Sequence, residues 1–123
     1  MPTSVTPPAG QAVIPTSREE NRASEFARHI FNKIQAYAAT LDEAHEVGLQ
    51  LFSAGHIITL HFAGMGYADP ALIAFTGATD AGEPLEVIQH VSQINMLLTP
   101  VPRLHPEEPK GEFRMERIED EKE

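Results

Sequence analysis

The chain contains no cysteine and no tryptophan, and between Ile34 and Pro102 it has neither lysine nor arginine. Without cysteine, thiol nucleophiles, thiolate zinc sites and disulfides are excluded together, a composition that fits a cytoplasmic protein. With no lysine or arginine, the middle of the chain has nothing to neutralise phosphate, so nucleic acids and phosphorylated ligands are poor partners. No apolar run approaches the ~20 residues of a membrane span, and the N-terminus lacks the basic-then-apolar pattern of a signal peptide. The expectation is a soluble, unprocessed protein with no nucleic-acid and no membrane partner.

What is present is acidic. The 123 residues carry a formal charge of −9, and the stretch without bases holds seven carboxylates and four histidines. Such a charge favours solubility and repels anionic partners. The one basic cluster, Arg18, Arg22, Arg28 and Lys33, is interleaved with Glu19, Glu20 and Glu25. Residues 1–16 contain four prolines and no charged side chain, which reads as a disordered, Pro-rich arm. Residues 106–123 carry eight acids against four bases, with Phe113, Met115 and Ile118 as the large apolar groups, and read as a solvated acidic tail. A single α+β domain is then expected over 17–105. A domain this small, without disulfides, leaves oligomerisation as the obvious further source of stability.

Local patterns place the elements. Ser17 and Glu20 form a capping box, and Phe26, Ile30, Ile34, Tyr37 and Leu41 recur at helical spacing, with Ala23, Ala27, Phe31 and Ala38 widening the stripe. His45–Phe52 alternates with period two, Gly55 offers a turn, and His56–Phe62 alternates again. Gly64–Pro70 reads as a connection and Ala71–Ala78 as a third strand. Asp80-Ala81-Gly82-Glu83 has hairpin chemistry, so Pro84–Ile88 is either a fourth strand or the start of a helix. From Gln89 to Leu98 the spacing of Val87, Val91, Ile94 and Leu98 predicts a helix ended by Thr99-Pro100-Val101-Pro102. The predicted architecture is a two-layer α+β domain, with N-terminal and C-terminal helices packed on a three- or four-stranded, mostly antiparallel sheet.

Two segments, Leu41-Asp42-Glu43-Ala44-His45-Glu46-Val47-Gly48 and Val87-Ile88-Gln89-His90-Val91-Ser92-Gln93-Ile94-Asn95-Met96-Leu97-Leu98, flank Gly66-Tyr67-Ala68-Asp69-Pro70. Through them the chain resembles a family of small bacterial and phage-associated proteins of unknown function, over about residues 25–103. The resemblance implies no activity, cofactor or catalytic residue.

No catalytic motif stands out. Glu43, His45 and Glu46 are close in sequence, but neighbouring residues of a strand point to opposite faces. The glycines of Ala63-Gly64-Met65-Gly66-Tyr67 lack the lysine and following helix of a phosphate loop and read instead as a bulge where strands part. No zinc-ligand spacing occurs, although His61 could meet His45 or His90 together with Glu46 or Glu86. The expectation is therefore no enzyme, no metal and no cofactor. The amide-rich, otherwise apolar segment 87–98 is the most distinctive stretch. Read as a helix buried on both sides, it makes Val91, Ile94, Met96 and Leu97 the surface of a homodimer that binds a protein partner, with Gln93 and Asn95 orienting it. The alternative is a pocket for a small polar ligand built from His61, Tyr67, Gln89, His90 and Gln93.

Overall fold

The computed structural model describes residues 22–118. The Ser17–Glu20 capping box and the Pro-rich arm lie outside them. One helix, α1 (Arg22–Ala38), is followed by β1 (His45–Ser53), β2 (His56–Ala68), β3 (Leu72–Ala78), β4 (Pro84–His90), a short 3₁₀ turn (Val91–Gln93), β5 (Met96–Pro102) and β6 (Arg114–Arg117). The strands form a six-stranded sheet in the order β4-β3-β2-β1-β5, with β6 off this path against β2. All pairings are antiparallel except β6 on β2. The fold is α+β.

The helix lies on one face of the sheet. Ala23, Ala27 and Ile34 are fully buried, with Ile30, Phe31, Tyr37 and Ala38 packed beside them. The buried stripe is thus rotated from the one that periodicity suggested, because Phe26 stands half exposed while two alanines let the backbone approach the sheet. The start of the helix is fastened to the β2–β3 turn: Ala23 N–H donates to the Pro70 carbonyl at 2.9 Å and Ser24 N–H to Asp69 Oδ1 at 2.8 Å. A carboxylate there satisfies an open N–H and meets the positive end of the helix dipole.

Alternation puts Val47, Leu49 and Leu51 of β1, Leu60 and Phe62 of β2, and Ile73 and Phe75 of β3 on the helix side, where all are buried. The β1–β2 hairpin turns at Ala54 and Gly55, whose φ angles are 52° and 81°. Two consecutive left-handed residues make the hairpin turn whose twist matches the strands, and only glycine adopts that conformation without cost.

Three expectations are corrected. Gly64–Pro70 is not a connection, because β2 runs on to Ala68 after a bulge between Phe62 and Gly64. The extra residue, Ala63, switches which side of the strand faces the core, so that Met65 and Tyr67 continue the inner face. No helix occupies 89–98: β4 ends at His90, the chain turns through Val91–Gln93, and β5 begins at Met96. The helical spacing there loses to pairing with β3 on one side and β1 on the other, and His90 Nδ1 accepts the Ser92 N–H at 3.1 Å to tighten the turn. Pro100 and Pro102 do not terminate a helix; they sit on an edge strand, where a missing N–H is tolerated. The sheet accordingly has more strands than the three or four expected.

The acidic tail is also not simply solvated. After the last β1–β2 pair, Gly48 with His61, the two strands diverge, and β6 enters the vacated edge of β2 with Gly64 opposite Arg114 and Tyr67 opposite Arg117. Phe113 packs edge-on against Phe62 with ring centroids 4.9 Å apart, and Met115 reaches the core. A Cβ at Gly64 would come within 2.8 Å of the Arg114 carbonyl oxygen, so the glycine is what lets β6 approach.

Candidate functional site

The face of the sheet away from the helix carries the polar and exposed apolar residues. At one end a buried imidazole is held between two carboxylates. His61 Nδ1 lies 2.7 Å from Glu46 Oε2, and His61 Nε2 lies 2.8 Å from Asp80 Oδ1. Glu46 comes from β1 just where it parts from β2, and Asp80 comes from the β3–β4 turn. Glu46 Oε2 also accepts the Leu104 N–H at 3.2 Å, which draws the segment after β5 over this end of the sheet. Arg103 secures that segment: its guanidinium, almost wholly buried, donates to the Glu43 carbonyl at 3.1 Å and to the carbonyls of His105 and Glu108. Val101 closes over Gly48, where a Cβ would meet Val101 Cγ1 at 2.6 Å.

The chemistry of the clip follows from its hydrogen bonds. Both contacts are hydrogen bonds when the ring donates from both nitrogens, or when it donates from one and accepts at the other from a carboxylic acid O–H. Neither nitrogen is left to take a proton from a substrate, as a general base must. The carboxylates bind opposite sides of the ring, so the three groups do not converge on one ion. The clip ties β1, β2, the β3–β4 turn and the segment after β5 together. Beside it is a cleft of about 310 Å³ bordered by Glu46, His61, Gly77, Pro84, Leu104 and His105. A second cluster, His105, Glu107 and Glu108, is fully exposed and shows no further feature pointing to an ion.

Of the residues weighed as a metal site, only His61 and Glu46 meet. His45 instead bonds Asp42 Oδ1 at 2.8 Å, which with the Ala44 N–H holds the Asp42 carboxyl below its ordinary 3.8. His90 is taken up by Ser92. The residues weighed as a polar pocket are not brought together. His61 is paired with Ala78 and Gln89 with Ile73, at opposite ends of β3 and on opposite faces of the sheet. Tyr67 packs on the core, while His90 and Gln93 are exposed. Gln89 is buried, and among the described residues its Oε1 has no hydrogen-bond partner.

Of the residues weighed as an oligomer surface, Val91, Ile94 and Met96 turn inward onto the core. Leu97 points to the outer face and is 44% exposed. Three further apolar side chains stand on that face: Ile57 at 62%, Ile88 at 58% and Leu72 at 43% exposed. No lysine or arginine lies on β1 to β5. Asp80 and the outer-face apolar set had no signal beyond alternation, because it took the tertiary pairing to show which side the helix would leave bare.

The chain belongs to a family of unknown function, DUF6173, whose model matches residues 17–115. No curated protein and no solved structure matches it. No helix among the described residues is long and apolar enough to cross a membrane.

Proposed function

We propose that this protein is a non-enzymatic, self-associating interaction module, a homodimer in its simplest form, that uses the bare face and edge of its sheet to bind protein. The observation that carries this reading is the exposure of Ile57, Leu72, Ile88 and Leu97 on a sheet whose first five strands have no lysine or arginine. Antiparallel sheets that face water normally alternate apolar-in with polar-out, and edges are commonly guarded by lysine. Here β4 and β5 carry no lysine, and four exposed apolar side chains stand among the polar residues of the outer face. A cytoplasmic setting and a bacterial or phage-associated origin belong to the same proposal and rest on the composition and on the two quoted segments. Native mass spectrometry tests it: a clean multiple of 13.5 kDa is expected, and a monomer at every concentration refutes self-association.

A second reading is favoured by the cleft at His61. A small polar ligand entering there would compete with Asp80, which stands exposed on its turn, for His61 Nε2. Reproducible extra mass on each subunit in the same measurement would support it.

A further inference from the structure

Resting on the self-association reading, we infer that the partner is a second copy of this chain, added through the open edge of β4 in antiparallel register about a two-fold axis at Ile88. The two edges of the sheet are not equivalent. Along β5, Pro100 and Pro102 remove backbone donors, whereas from Leu85 to His90 the β4 strand has neither proline nor a basic guard residue.

The hydrogen bonds at the two ends of the β3–β4 ladder show which groups of β4 face the edge that is open among the described residues. Thr79 N–H donates to the Glu83 carbonyl at 2.9 Å, and Val91 N–H donates to the Ala71 carbonyl at 2.8 Å. In an antiparallel ladder hydrogen-bonded pairs alternate with non-bonded pairs. Residues in step with both ends, Leu85, Val87 and Gln89, therefore direct their backbone groups to β3. Glu86, Ile88 and His90 direct theirs to the open edge, and the side chains of these same residues are exposed on the outer face.

Side-chain chemistry selects the register. A two-fold axis at Glu86 would set two carboxylates against each other, and an axis at Val87 or Gln89 would set Ile88 against a polar residue. An axis at Ile88 sets Ile88 against its own copy and Glu86 against His90 of the second copy, on both sides of the axis. A carboxylate facing a hydrogen-bond donor is favourable across a strand pair, and like charges are not. His90 is prepared for the role: its Nδ1 accepts the Ser92 N–H at 3.1 Å, so the ring donates through Nε2.

The absence of cysteine makes the test direct. Facing residues of a hydrogen-bonded pair have Cα atoms about 5.5 Å apart, within disulfide range. Ile88→Cys in the full chain should convert mostly to disulfide-linked dimer under mild oxidation, while Ile57→Cys, on the same face two strands away, should not. Glu86→Lys should raise the dimer dissociation constant about tenfold, since two opposed pairs are lost together, and adding His90→Glu should restore it. If wild-type protein is dimeric but Ile88→Cys links no faster than Ile57→Cys, or the charge variants leave the dimer unchanged, the β4 pairing is wrong and self-association stands. If the wild-type protein is monomeric throughout the micromolar range, the pairing and the self-association reading fall together.

Discussion

Both faces of this sheet carry large apolar side chains, and these have opposite fates. On the inner face Leu49, Leu51, Leu60, Ile73 and Phe75 are fully buried under α1, whereas on the outer face Leu72, Ile88, Ile57 and Leu97 stand in the open. Both sets alternate correctly along their strands. Among the described residues the difference lies in what covers each face: α1 lies over one, while on the other the segment after β5 covers one end, where Glu46, His61 and Asp80 clip it down, and Ile118 lies against Gly66. Period-two alternation therefore identifies a strand without saying which of its faces will be dry.

The sharpest way to break this comparison is to truncate matched residues on both faces. Phe75→Ala should lower the free energy of unfolding by about 4 kcal/mol in urea titration, through lost burial and the cavity left behind. Ile88→Ala should change the unfolding of the monomer by less than about 0.5 kcal/mol. Equal losses would mean that the outer face is covered as thoroughly as the inner.

A smaller effect separates two glycines. At Gly77 an added Cβ would run into the His61 backbone carbonyl, so Gly77→Ala should cost about 3 kcal/mol by forcing β2 and β3 apart. Gly82, in the β3–β4 turn, has open space around it and only its φ of 86° to defend, and Gly82→Ala should cost about 1 kcal/mol. Thermal or urea unfolding of the pair checks the order.

Within the outer face, the clipped and bare ends should also differ. His61→Ala leaves the partly buried Glu46 carboxylate without its ring donor and should cost about 2 kcal/mol. Hydrogen exchange at the Leu104 amide should quicken in the same variant, as the carboxylate that holds it loosens. His90→Ala, at the exposed end of β4, should cost less than about 0.5 kcal/mol in the monomer.

The smallest effect lies at the turn before β1. The Asp42 carboxyl is held below 3.8 chiefly by its hydrogen bond to His45, with help from the Ala44 N–H. A depressed folded-state pKa contributes stability above the unfolded value and loses it as pH falls through the folded one. Wild-type and Asp42→Asn proteins should therefore differ by a constant amount near neutrality, and the difference should shrink only in acid, below about pH 4.

Much of the first half of the fold was legible because its signals are local. The helical stripe from Ala23 to Ala38, the alternation of His45–Phe52 and the glycine turn at Gly55 each depend on neighbours within a few residues. The hairpin chemistry of Asp80–Glu83 likewise pointed to β4, although helix remained open there. The candidate site was far less legible. His61 and Glu46 are only two of five residues that the sequence offers together as metal ligands; their meeting required the β1–β2 register, and the arrival of Asp80 required the β3–β4 turn to fold back onto β2.

By itself, then, the sequence determined one acidic, cysteine-free α+β unit with an amphipathic helix and a series of hairpins. Composition and short-range periodicity act through solvent and through nearest neighbours, wherever the rest of the chain lies. Only the tertiary structure decided that 89–98 is the end of one strand, a turn and the start of another rather than a helix, that 114–117 enters the fork beside β2, and that His61 closes between two carboxylates. These outcomes depend on hydrogen bonds between segments far apart in sequence. In the case of 89–98, pairing on both sides outweighed a local pattern that favoured the helix.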